Sequence, residues 1–231
     1  MPPLGHRPIA TLPRLERVSA DLIHLVRHGE VYNPGGVLYG RLPGFALSEL
    51  GHRMARAAAD SLRAQGRDIR LLVASPLQRT QESAAPLSAI FGRPIDTDER
   101  VIEPTNVFEG KQLHGPRSVL RSPRSWPRLI NPWRPSWGEP YRAIFARMNA
   151  AMADAHDRTP FGDVVIVSHQ LPIEIVSRQL GGRALRHDPR ARRCALSSVT
   201  TFRRENGRFI EVSYLDPAAS LRTTARDVGA V

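Results

Sequence analysis

Four side chains of the types that hold and transfer phosphoryl groups stand at the ends of three apolar stretches. Arg27 and His28 follow residues 22–26, Arg79 lies shortly after residues 69–74, and His169 comes just after residues 164–167. Two arginines offer forked, bidentate donors suited to phosphate oxygens. Two imidazoles are the side chains that titrate nearest neutrality. One histidine can attack phosphorus in line and carry the group as phosphohistidine. The arginines and the second histidine would then neutralise charge on the equatorial oxygens, work that metal ions do in many other phosphoryl-transfer enzymes. A departing alkoxide needs a proton, so a carboxylic acid must stand close by, and Glu103 and Glu109 are the candidates.

These residues need elements that deliver them to one place. Leu22, Ile23, Leu25 and Val26 form a short, nearly continuous apolar run, the pattern of a strand buried on both faces of a parallel sheet. Residues 69–74 and 164–167 repeat it. In open α/β sheets ligands bind at the carboxyl ends of the strands, where all four side chains fall. Gly29 is expected to turn the chain sharply and to let backbone approach a ligand. After a glycine- and proline-rich loop, Ser48 can cap a helix that buries Leu50, Met54, Ala57, Ala58 and Leu62 and stops at Gly66. Ser75 and Pro76 read as the cap and first residue of a second helix ending at Gly92, which puts Arg79 in its first turn. Helix N-termini beyond strand tips attract anions. Further helices are expected over 139–157 and from about 172 to 180. A short strand is expected within 93–103, and a hairpin around Glu205-Asn206-Gly207. The expected fold is α/β with three layers: a mostly parallel sheet, helices on both faces and an inserted cap segment.

Length and composition bound the rest. A chain of 231 residues, 41% hydrophobic and 24% charged, suits one globular domain. We expect an irregular extension over 1–20, the domain over 21–216 and a frayed tail over 217–231. Residues 110–140, rich in proline, tryptophan and arginine, have too few aliphatic residues for a separate core and read as an insertion folded over the sheet. No stretch approaches the about 20 apolar residues of a membrane span, and the first twenty lack a signal peptide's apolar region. The expected location is the cytoplasm, with no membrane partner. The net charge of +11 raises the question of nucleic acid. The arginines are spread along the whole chain, however, and Lys111 is the only lysine, so a nucleic-acid partner is not expected. Cys194 is the only cysteine, which excludes an intrachain disulfide and a cysteine-rich metal site. Its arginine-rich surroundings could lower the thiol pKa, but a small packing residue at the start of a strand is the preferred reading.

The motifs resemble those of the histidine phosphatase superfamily, in its phosphoglycerate-mutase-like branch. L-V-R-H-G-E at 25–30 matches the signature loop, and L-S-E-L-G at 47–51 matches the L-[ST]-x-x-G helix start. S-P-L-Q-R-T-Q-E-S-A at 75–84 and V-I-V-S-H at 165–169 match two further motifs. The resemblance covers about residues 22–215, and four ordered motifs are specific. It implies His28 as the nucleophile, with Arg27, Arg79 and His169 binding phosphate, and it places Asn33 where the family often has an asparagine near the phosphate. Residues 98–110 resemble the family's D-E-R-L-x-E…W-E-G segment, which makes Glu103 the matching acid. The segment is one residue short, which keeps Glu109 as the alternative.

Two departures stand out: Gln170 occupies a position where the family commonly has glycine, and Glu139 is followed by Pro140 where serine is frequent. Residues 111–138, where substrate choice is normally shaped, match nothing recognisable. The expectation is a phosphatase that hydrolyses a small phosphomonoester through phospho-His28, with no cofactor and no metal. The alternatives are a mutase that returns the group to a sugar acid, or a non-catalytic phospho-ligand-binding protein. A homodimer is compatible with the residues.

Overall fold

The structure, a computed structural model, describes residues 20–113, 118, 119, 138–225 and 227. Six strands form one sheet in the order β3-β2-β4-β1-β5-β6. The strands are β1 (Leu22–Arg27), β2 (Ile69–Ala74), β3 (Ile95–Thr97), β4 (Asp163–Ser168), β5 (Val199–Glu205) and β6 (Arg208–Leu215). The first four run parallel, β5 pairs antiparallel with β1, and β6 pairs antiparallel with β5. The chain turns between β5 and β6 at Asn206 and Gly207, both with positive φ, as the sequence suggests.

The four helices are α1 (Glu49–Ala64), α2 (Gln78–Phe91), α3 (Tyr141–Arg158) and α4 (Gln170–Leu180). Successive side chains on a strand point to opposite faces, and the core divides accordingly. Ile23, Leu25, Val164 and Ile166 pack with Met148, Met152, Ile173 and Val176 of α3 and α4. Val26, Val165 and Val167 pack with Ala58, Leu62, Ala84 and Leu87 of α1 and α2. The sheet therefore has helices on both faces, the expected three-layer α/β/α arrangement.

Several local expectations change. Ser48 does cap α1, its hydroxyl accepting from the Gly51 amide at 2.9 Å. Ser75 does not cap α2, which begins at Gln78 after Leu77; its hydroxyl faces the histidine beyond β4 instead. Helix α4 starts at Gln170, and Pro172 sits in its first turn, where a missing N–H costs nothing. Gly29 does not turn the chain through positive φ. A Cβ there would lie 2.4 Å from the Gly51 carbonyl oxygen, and one on Gly51 would lie 2.0 Å from that of Glu30. The two glycines let α1 press backbone against backbone beside the tip of β1.

Of the segment at 110–140, residues 114–117 and 120–137 lie outside the described residues, as does 1–19. The roots of the segment are pinned, with isolated bridges joining Val37 to Gln112 and Asn106 to Gly138. Leu113 packs with Leu38 and Phe108. The frayed tail is corrected for residues 217–225 and 227. Residues Ala219–Thr224 form a 3-10 helix. Ala218, Leu221 and Ala225 pack on Met54, Leu50 and Leu196, which returns the chain toward the end of β1.

Candidate active site

At the carboxyl ends of β1 and β4, and at the start of α2, the sheet gathers Arg27, His28, Arg79 and His169, all at most 2% exposed. The His28 and His169 rings stand edge to face with centroids 5.3 Å apart. His28 Nδ1 lies 2.7 Å from the Gly29 carbonyl oxygen. A carbonyl can only accept, so Nδ1 carries the proton and Nε2 the lone pair. Burial, then the charges of Arg79 and Arg27, hold the His28 pKa well below the ordinary histidine value. The ring is thus a neutral base with a fixed tautomer.

His169 is neutral for the same reasons, burial first and Arg79 next. Its Nδ1 accepts from Arg79 Nη2 at 3.2 Å, since a guanidinium can only donate, and its Nε2 then donates to Ser75 Oγ at 2.8 Å. Both ring nitrogens are therefore engaged by protein groups, and His169 braces Arg79. Arg79 Nη2 also donates to the Gly40 carbonyl at 2.8 Å, and its guanidinium lies 4.7 Å from the centroid of the Tyr39 ring. Arg27 Nη1 donates to the Cys194 carbonyl at 2.7 Å. Among the described residues, Arg27 Nε and Arg79 Nε are buried donors with no hydrogen-bond partner. Buried donors are normally satisfied, so orphaned N–H groups on the two arginines whose charges act on His28 suit an oxyanion.

Glu103 reaches this group, with Oε2 3.5 Å from His169 Nδ1. Burial raises its pKa to about 7, outweighing the pull of Arg79, Arg192, Arg27 and Arg147. A carboxyl in that range can give and take a proton near neutrality. The sequence alternative, Glu109, accepts from the Asn106 amide at 3.2 Å and lies against Gly40, whose carbonyl holds Arg79. It closes its own turn, whereas Glu103 meets the His169 imidazole. Asn33 turns its amide to the loop: Nδ2 donates to the Val37 carbonyl at 2.8 Å and Oδ1 accepts from the Val37 amide at 3.2 Å.

Some residues of the site were not singled out from the sequence. Tyr39 is buried, stands edge-on to His28 with centroids 6.4 Å apart, and has its phenol pushed up to about 12 chiefly by burial. Its only signal was an aromatic residue before a glycine in a long loop. Ser75 has the sequence signature of a helix cap, yet its hydroxyl meets His169. Cys194 packs in the core as expected, though in the loop ahead of β5 rather than at the start of a strand, and burial pushes its thiol up to about 12, so the surrounding arginines do not activate it. Its carbonyl accepts from Arg27. Gln170 donates to that same carbonyl at 3.3 Å and accepts from Arg192 Nη1 at 3.2 Å, tying the start of α4 to the loop before β5.

The sheet, the paired imidazoles beyond the carboxyl ends of its central strands and the flanking guanidinium groups define an α/β protein with a buried site of two histidines and two arginines. The model of the histidine phosphatase superfamily, branch 1, matches residues 23–217, and the chain belongs to this family. An uncharacterised Mycobacterium tuberculosis protein, Rv0525, is 50% identical over 197 residues, spanning 85% of this chain and 96% of that one. A Yersinia pestis protein named probable phosphoglycerate mutase GpmB is 28% identical over 185 residues, 77% of this chain and 83% of its own. Among solved structures, a mycobacterial glucosyl-3-phosphoglycerate phosphatase has a TM-score of 0.64 at 23% identity, covering 83% of this chain and 97% of its own. A phosphoserine phosphatase from Entamoeba histolytica has 0.66 at 17% identity, covering 84% and 95%. Members of the family are phosphatases or mutases. Among the described residues, no helix is long and apolar enough to cross a membrane.

Proposed function

We propose that the protein is a phosphatase that hydrolyses a small phosphomonoester through a phosphohistidine on His28, without a metal ion. The observation that carries this reading is the His28 tautomer: Nδ1–H is tied to the Gly29 carbonyl at 2.7 Å, which leaves the Nε2 lone pair for attack. The low pKa keeps that lone pair unprotonated. In the first step, Nε2 bonds to phosphorus as the ester P–O bond breaks, and protonated Glu103 gives its proton to the leaving oxygen. In the second, Glu103 takes a proton from water, the water oxygen attacks phosphorus and the N–P bond breaks. Orthophosphate leaves and His28 is restored. Arg27 and Arg79 supply the fixed positive charge that stabilises both transfers.

A second reading is supported by the relative named probable phosphoglycerate mutase: the phosphoenzyme would pass its group to an acceptor hydroxyl instead of water. A panel of phosphomonoesters that includes phosphoglycerates, followed by phosphate release and product analysis, separates the two. The expected result is orthophosphate released at a rate unchanged by EDTA. Isomerised phosphoester without net phosphate would favour the mutase, and strict dependence on a divalent ion would overturn the metal-independent mechanism.

A further inference from the structure

The tail brings one carboxylate into this site. Asp227 Oδ2 accepts from Arg27 Nη1 at 2.8 Å, and its Oδ1 accepts from Arg27 Nη2. Asp227 is 200 positions from Arg27 in the chain, yet it is not adrift. The 3-10 helix before it is anchored on Met54 and Leu196, and Ala225, two residues away, is part of that contact. The Asp227 side chain is 40% exposed, and what desolvation it has would raise the carboxyl, but the Arg27 guanidinium, with Arg192 further off, holds it below the usual carboxylate range, so it is charged.

A guanidinium has five N–H bonds, directed along two edges and one remaining corner. On Arg27, Asp227 takes the end formed by Nη1 and Nη2, and the Cys194 carbonyl takes the other Nη1 proton at 2.7 Å. What remains is the side edge, the second Nη2 proton and Nε, and among the described residues Nε has no hydrogen-bond partner. That edge presents two parallel N–H bonds, the pattern that matches two oxygens of a phosphate. The carboxylate and the phosphate thus use different edges of the same group and do not compete.

We propose that Asp227 is a positioning residue: it clamps Arg27 end-on, so that the Nε–Nη2 edge faces the phosphoryl group, and the C-terminal tail is thereby an integral part of the phosphate site. The inference rests on the reading of Arg27 as a phosphate ligand. Without the clamp, the Arg27 side chain gains alternative rotamers and its grip on phosphate weakens. Orienting partners of metal ligands are worth about ten- to a hundredfold, and an effect near the lower end is expected here.

The test compares wild type, Asp227→Asn, Asp227→Glu and a chain ending after Ala225, which keeps the tail's apolar anchor. Orthophosphate binding is followed by calorimetry and as competitive inhibition of p-nitrophenyl phosphate hydrolysis, with thermal unfolding measured alongside. Asp227→Asn and the truncation should weaken orthophosphate about tenfold and raise KM more than they lower kcat. Asp227→Glu should recover part of the loss, and unfolding should change little. Equal binding in all four proteins would overturn the inference. So would tighter binding in Asp227→Asn, which would make the tail a plug. If wild type and Arg27→Ala bind orthophosphate equally, the reading of Arg27 fails instead.

Discussion

Burial gives Glu103 and His28 opposite treatment, and the difference suits their roles. Each is less readily charged inside the protein than in water, so the imidazole loses its proton and the carboxyl keeps one. The Glu103 pKa is raised to about 7, so it is a neutral acid below that pH and a carboxylate above it. Protonation of the leaving group should therefore fail as pH rises through about 7, most visibly with alkyl phosphates, whose alkoxides are poor leaving groups. Glu103→Gln should lower kcat/KM for an alkyl phosphate by about a hundred- to ten-thousandfold and remove that alkaline limb, with much less effect on p-nitrophenyl phosphate. Glu109→Gln should show no such dependence on leaving group. A leaving-group-dependent defect at Glu109 alone would transfer the role. Sequence spacing favoured Glu103 without excluding Glu109; the contact with His169 separates them, and no local pattern encodes that contact.

At the scale of elements, the apolar runs and glycine stops made β1, β2, β4 and the hairpin legible, because short-range patterning reflects burial on one or both faces. The starts of α2 and α4 were less legible. Ser75 has the local chemistry of a cap, but a hydrogen bond to a histidine 94 residues away claims its hydroxyl. Gly29 likewise carries a long-range reason, the close approach of α1. Gly51→Ala tests that approach, since its Cβ would come within 2.0 Å of the Glu30 carbonyl oxygen and α1 would have to move. Overpacking of this kind costs about 1–3 kcal/mol. For a chain of this size it should lower Tm by roughly 2–4 °C per kcal/mol. Activity should fall further than stability, because the displaced backbone is the one that follows His28. Unchanged Tm and activity would show that the contact between α1 and the signature loop is not needed.

The whole molecule converges on the carboxyl ends of the central strands from distant parts of the chain. β1 supplies Arg27 and His28, α2 supplies Arg79, the segment after β3 supplies Glu103, β4 leads to His169, and the tail adds Asp227. The sequence showed most of this set because each member sits beside a strand or helix signal. The tail was illegible because its role depends on a carboxylate meeting a guanidinium across 200 positions, with only a short apolar anchor to mark the path. The central claim is that His28 Nε2 takes the phosphoryl group. Rapid quenching of the enzyme during turnover of a 32P-labelled phosphomonoester, at alkaline pH, measures it most directly. The account predicts label that is stable to alkali, labile to acid and located on His28, with both label and turnover absent in a folded His28→Ala variant. Near-normal turnover by His28→Ala, or label on another residue, would contradict it.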